Sequence, residues 1–282
     1  MNYRKPDLTG KVAVVTGGGG VLCSEFAKAL ASCGAKVAIL NRTYEKAERV
    51  ASEIREMGNE AIAVSANVLD VESIRQAHQI VQKTYGECDI LINGAGGNKS
   101  VATCDDEFFS MEVLQASNKK SFFDLEDSGF REVLDLNLLG VLLPTQIFGR
   151  DMVIRHSGVI INISSMNAYT PLTKIPAYSA AKAGVTNLTQ WLAVYFAESG
   201  IRVNAIAPGF FSTEQNKTLL WKEDGSPTPR TEKILRNTPM GRLGKPEDLL
   251  GTLLWLVDDM AAGFVTGITV PVDGGFSAYS GV

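Results

Sequence analysis

Short apolar runs alternate along the chain with longer stretches of helical period. Residues 12–15, 37–40, 61–64, 90–92, 159–163, 203–206 and 269–272 read as seven strands. Their apolar residues run on rather than alternate, the pattern of strands buried on both faces. Residues 22–32 and 44–57 carry helical period and are followed by Gly34 and Gly58, residues that suit the stop of a helix. Alternating β and α units predict an α/β fold, a seven-stranded parallel sheet with helices on both faces. No repeat or linker divides residues 1–282, so a single doubly wound domain is expected. Two excursions, near 97–127 and 212–240, break the rhythm. Both follow strand ends on the side where such sheets bind ligands, which marks them as substrate-side insertions.

Composition narrows the class. The 282 residues are 45% hydrophobic, and 27 Lys and Arg against 31 Asp and Glu leave a net charge of −4. That balance excludes an unfolded chain and gives no basic excess for nucleic acid. No apolar run reaches membrane-spanning length, and the polar start is unlike a signal peptide. Cys23, Cys33, Cys88 and Cys104 lack paired C-x-x-C spacing, so buried thiols in a reducing cytoplasm are expected. His78 and His156 fall in helical surface patterns without companions for a metal. Phe108, Phe109, Phe122 and Phe123 suit packing of the first insertion better than a ligand cage.

The first candidate chemistry lies between strand one and helix one, in Thr16-Gly17-Gly18-Gly19-Gly20-Val21-Leu22-Cys23. Glycines there let main chain approach a pyrophosphate, which amides at a helix start then stabilise. Gly17, Gly19, Gly20, Val21 and Leu22 are the candidate contacts; Cys23 stands where a final glycine is usual. Strand two ends in Leu40-Asn41-Arg42-Thr43, with no acid to grip the ribose hydroxyls and an Arg able to meet a 2′-phosphate. NADP(H) is favoured and NAD(H) remains possible, with Asn41 serving the hydroxyls.

Tyr178 and Lys182 lie one turn apart in Tyr178-Ser179-Ala180-Ala181-Lys182, and Ser165 precedes the tyrosine by thirteen residues. With Asn93-Gly94-Ala95-Gly96, Asn137, Pro208-Gly209-Phe210-Phe211-Ser212-Thr213 and Val272-Asp273-Gly274-Gly275, this ordered set resembles the short-chain dehydrogenase/reductase family over nearly the whole chain. The resemblance implies an oxidoreductase in which Tyr178 is general acid/base and Lys182 holds the nicotinamide ribose. It implies that Ser165 bonds the reacting oxygen, Asn137 anchors a relay water and Thr213 holds the carboxamide. Asn67 would face the adenine, and Val68, Asn93, Ala95, Gly96, Pro208, Gly209 and Phe211 complete the cofactor contacts. A free tyrosine has a pKa near ~10. Lys182 and the cofactor's positive ring are expected to lower it. The family also implies a homotetramer built through helices near 129–155 and 175–199.

The long first insertion, residues 163–174, residues 209–216 and the ending 273–282 further resemble the family's sugar-acid branch. They imply interconversion of a hydroxyl and a keto group on a small sugar acid, D-mannonate and D-fructuronate above all. Asn98, Asn167, Lys174 and Gln215 are the candidate substrate residues, with Thr173 and Asn216 nearby. Lys174 leads for the carboxylate; Lys99 or Arg230 could serve instead. Another polyol or sugar acid such as gluconate, a cofactor-retaining dehydratase or epimerase, and a non-catalytic dinucleotide binder are the alternatives.

Overall fold

A computed structural model of the protein describes residues 5–213 and 216–281. All seven expected strands form, each within two residues of its expected ends: β1 (Val12–Thr16), β2 (Lys36–Asn41), β3 (Ala61–Ser65), β4 (Ile90–Asn93), β5 (Gly158–Ile163), β6 (Ile201–Pro208) and β7 (Thr269–Val272). They lie in one parallel sheet ordered β3-β2-β1-β4-β5-β6-β7. Strand order reverses between β1 and β4, which opens the crevice where doubly wound sheets take ligands. Ala13, Val14 and Val15 are sealed, with Ala13 and Val15 facing one apolar layer and Val14 the other. Burying each valine contributes about 1.5–3 kcal/mol.

Helices α1 (Val21–Ser32), α2 (Tyr44–Glu56) and α3 (Val71–Tyr85) connect the first strands. Asp70 caps α3, its carboxylate accepting from the amides of Glu72 and Ser73. The first insertion has structure of its own, including α4 (Met111–Gln115). It leads into α5 (Asp127–Leu134) and α6 (Gly140–Arg155). These two are not the continuous helix that the period suggests. A π-helical turn over Asp135–Leu139 joins them and carries Asn137. Such widened turns collect at functional sites. α7 (Pro176–Tyr195) starts on a proline, whose missing N–H costs nothing in a first turn.

The second excursion folds into α8 (Lys217–Leu220) and α9 (Pro229–Arg236), before α10 (Leu250–Val257) and α11 (Asp259–Ala262). An ion pair from Lys233 to Glu107 at 2.8 Å ties the two excursions together. Among the described residues, no helix is long and apolar enough to cross a membrane.

Two readings of the surface change. His78 is not solvated: it is half-buried, pairs with Asp151 of α6 and meets the Phe148 ring edge-on at 5.3 Å. Three of the four phenylalanines of the first insertion touch, Phe109 and Phe122 each against Phe123, yet all four stay more than half exposed.

Cys23 replaces the usual glycine without opening the crevice, because the residue opposite it is Gly94. A Cβ on Gly94 would strike the Cys23 sulfur and lie 2.9 Å from the Thr16 carbonyl oxygen. Gly94→Ala is therefore expected to destabilise the fold by about 1–3 kcal/mol. Cys23→Ala in the same chain should recover part of that loss in urea denaturation. Strict additivity of the two substitutions would show that they do not share the contact.

Candidate active site

The crevice is built from residues that lack side chains. Gly17 has φ +64°, a conformation glycine adopts freely, and a Cβ there would lie 2.9 Å from the Ala95 main chain. A Cβ on Gly19 would meet Lys46 and Asn41. Gly20 caps α1 without any side-chain hydrogen bond, and the first turn carries no acidic residue. Uncapped amides facing a bare glycine turn fit an anion. Thr16 secures the facing wall, its hydroxyl accepting from the amides of Gly94 and Ala95 at 3.1 and 3.3 Å. The residues present thus fit a dinucleotide, with the pyrophosphate at Gly17–Leu22.

At the adenosine end, Arg42 is exposed. Asn41 turns its amide inward to the Thr43 carbonyl at 2.9 Å. Lys46, which the sequence reading passed over, packs its stem against Gly19. Its position one turn after Arg42 on α2 was the available signal. Asn67 uses its amide oxygen on the Leu69 N–H at 3.2 Å, which leaves one lone pair for an adenine. Val68 is buried beside Gly140.

The candidate catalytic residues converge. Lys182 is 3% exposed, and its ammonium donates to the Ile163 carbonyl at 2.7 Å. It also lies 5.6 Å from the centre of the Tyr178 ring. Ser165 ends the loop after β5, bonded to Tyr178 and accepting from the Asn167 amide at 3.2 Å. Ala102 from the first insertion packs with Ala177 and the Tyr178 ring, so that insertion holds the tyrosine from behind.

Charge corrects one expectation. Burial holds the Tyr178 hydroxyl above its usual pKa, only partly offset by the Ser165 hydrogen bond. Burial also lowers Lys182 to about 8. Before any cofactor binds, the protein's own groups thus favour a neutral phenol, because desolvation outweighs the Ser165 hydrogen bond.

Asn137 is fully buried. Its amide donates to the carbonyls of Gly97 and Val133 at 2.7 and 2.8 Å, and its oxygen accepts from the Gly97 N–H at 3.1 Å. Both donors are committed, so Asn137 sets the turn after β4 whatever else it holds. The sealed Asn93 side chain donates to Thr145 and Asn162 and so joins β4 to α6 and β5, which leaves a cofactor contact to its main chain.

Past β6, Pro208 and Gly209 lead to Phe211, Thr213 and a cleft of about 370 Å³ shared with Val21, Leu22 and Arg230. Asn216 is spent on fastening this loop, through the Thr213 amide and the Phe211 carbonyl. Asn167 and Lys174 line a second cavity of about 550 Å³, whose walls do not include Ser165, Tyr178 or Lys182. Lys174 donates there to the Asp105 carbonyl at 2.5 Å. Asn98 is exposed and bonds Thr103, Thr173 is exposed, and Lys99 pairs with Glu132. Gln215 lies outside the described residues.

A glycine-lined crevice at the switch point, beside a Ser-Tyr-Lys set whose Ser165 and Lys182 are buried, defines a dinucleotide-dependent oxidoreductase. The short chain dehydrogenase family model matches residues 11–224. The chain belongs to that family. It is 56% identical over 276 residues to the uncharacterised oxidoreductase UxuB of Bacillus subtilis, covering 98% of each chain. A Haemophilus influenzae protein described as a candidate D-mannonate oxidoreductase, solved with bound NAD, is 54% identical with TM-score 0.95 over 98% of each chain. A gluconate 5-dehydrogenase of Burkholderia cenocepacia, solved with NADP and tartrate, is 31% identical with TM-score 0.81, covering 96% of this chain and 97% of its own.

Tyr178→Phe keeps the ring packing but removes the only transferable proton on that ring. Steady-state kinetics should show kcat lowered by about 10²–10⁴-fold, with NADH affinity by titration little changed. Substantial residual turnover would remove Tyr178 from the proton transfer.

Proposed function

We propose that the chain interconverts a secondary hydroxyl and a ketone on a six-carbon sugar acid, D-mannonate and D-fructuronate, as a cytoplasmic NAD(P)-dependent enzyme. The observation that carries this reading is the position of two orphaned polar atoms next to the catalytic pair. Asn167 Oδ1 and Ser179 Oγ are buried without hydrogen-bond partners. Both residues line the 550 Å³ cavity. Asn167 sits two residues from Ser165, and Ser179 directly follows Tyr178. Substrate hydroxyls would satisfy both atoms, and Lys174 in the same walls supplies a cation for the carboxylate. The names carried by the Haemophilus and Burkholderia relatives support the sugar-acid class.

The nicotinamide supplies or accepts the hydride when bound. The chain's residues do the rest. Ser165 holds the reacting oxygen, and Tyr178 donates a proton to it in reduction or removes one in oxidation. The buried Lys182 ammonium grips the nicotinamide ribose and stabilises negative charge on the phenol. A bound nicotinamide's positive charge favours the phenolate that burial disfavours. Exposed Arg42 and nearby Lys46 favour NADP(H), and the NAD-bound relative supports use of NAD(H) as well.

A spectrophotometric panel tests both parts of the reading. D-mannonate, gluconate and neutral polyols should be compared with each cofactor, using the wild type, Lys174→Met and Arg42→Ala. Highest kcat/KM is expected for D-mannonate. Lys174→Met should cost it about 2–4 kcal/mol while sparing polyols. Arg42→Ala should raise KM for NADPH far more than for NADH. A higher kcat/KM for gluconate would move the substrate to that acid, and equal Lys174 losses on all substrates would remove the carboxylate contact.

A homotetramer completes the proposal. α7 presents Trp191 stacked on Tyr195 at 4.7 Å, with Val194 beside them, all exposed. Met260 and Phe264 after α10 are exposed almost entirely. Such apolar faces suit symmetric subunit contacts. Light scattering at micromolar concentration should return about four chain masses; a monomer would contradict it.

A further inference from the structure

One cation in the cleft beside the glycine turn has no partner among the described residues. Arg230 is the second residue of α9 and lines the 370 Å³ cleft with Val21, Leu22, Phe211 and Thr213. Among the described residues, its guanidinium makes no hydrogen bond or ion pair. Two neighbouring cations are engaged within the protein. Lys233, one turn further along α9, is held by Glu107, and Arg242 is held by Asp248.

The helix that presents Arg230 is anchored. Thr228 caps it, accepting from the Thr231 amide, and Pro229 starts it. The Thr231 hydroxyl bonds the Leu220 carbonyl at 2.7 Å. The position of Arg230 is therefore set by a built element, while its side chain stays uncommitted.

The opposite wall explains what an uncommitted cation would meet. Val21 and Leu22 are the first two residues of α1, where the N-cap is Gly20 and no side chain satisfies the amides. The turn from Gly17 to Gly20 has no basic side chain. Helix-start amides offer only about half an elementary charge in total. Each phosphate of a dinucleotide's pyrophosphate carries a full negative charge. An Arg across the same cleft supplies planar, paired N–H donors suited to a phosphate.

We propose that Arg230 is a cofactor-binding residue that pairs with the pyrophosphate of the dinucleotide, facing the α1 amides across the cleft. The alternative anion is a substrate carboxylate. Val21 and Leu22, at the uncapped start of α1 where the pyrophosphate is expected, line this same cleft, which favours the pyrophosphate. The assignment does not depend on which substrate the enzyme uses.

Calorimetric titration of the wild type, Arg230→Gln and Arg230→Lys with NADH, ADP-ribose and adenosine tests it. Arg230→Gln should weaken NADH and ADP-ribose alike, by roughly 10–100-fold, the range for losing a charge-assisted hydrogen bond. Adenosine, which lacks phosphate, should bind as before. Arg230→Lys should restore part of the loss, and added salt should narrow the difference between wild type and Arg230→Gln. Unchanged affinity for NADH and ADP-ribose would overturn the proposal. So would an equal loss for adenosine, which would indicate a distorted cleft. A loss confined to sugar-acid binding by the NADH-loaded enzyme would also overturn it and give Arg230 to the carboxylate.

Discussion

Lys182 has to keep an ammonium group in a place where water hardly reaches, and the site is arranged around that demand. Its direct bond is to the carbonyl of Ile163 at the end of β5, and burial lowers its pKa to about 8. A charge so placed needs fixed dipoles, because the surroundings cannot rearrange as water does. α7 carries Lys182 and Tyr178 on one face, and the loop after β5 brings Ser165 to the tyrosine. Gly96 leaves room for the ammonium, since a Cβ there would lie 3.2 Å from it and 2.7 Å from Asn137 Oδ1. Asn137 in turn fixes Gly97 from a π-helical turn. One buried charge thereby links β4, β5, α6 and α7.

The crevice follows a different logic, in which absent side chains matter as much as present ones. Gly17 and Gly94 let the ends of β1 and β4 approach, Gly19 makes room for Asn41 and Lys46, and the amides of α1 stay free for a phosphate. Cys23 shows how such a fit tolerates exchange: volume gained on the helix is accommodated by a glycine on the strand opposite. The fully buried chain Thr145–Asn93–Asn162–Thr189 then braces the same sheet from within.

The two excursions bring the remaining chemistry. The first packs Ala102 on the catalytic tyrosine and extends to Glu107, which grips Lys233 of the second. The first also lines the large cavity where Asn167 and Ser179 lack partners, and the second carries Arg230 to the smaller cleft. Neither excursion belongs to the repeating β and α pattern. Both are fixed by contacts between residues more than sixty positions apart.

The strands were legible from the chain because double-sided burial leaves a local mark, a run of apolar residues. The glycine turn, Tyr178, Lys182 and Ser165 were legible for a similar reason, since their chemistry requires fixed residue types at fixed intervals along single elements. Asn93 stands in a motif that suggests a cofactor contact, yet only packing shows that its side-chain amide is spent on Thr145 and Asn162. His78 looked solvated because Asp151 and Phe148 lie on another helix. The direction of the Tyr178 pKa reversed because desolvation depends on everything around the ring, while the sequence displays only the lysine one turn away. The sequence by itself determined the parallel sheet and its glycine crevice and spaced the candidate set of Ser165, Tyr178 and Lys182, because each is encoded in local period or spacing. Only the tertiary structure decided which polar groups are buried, which are committed and which remain free, because those depend on neighbours brought together from distant parts of the chain.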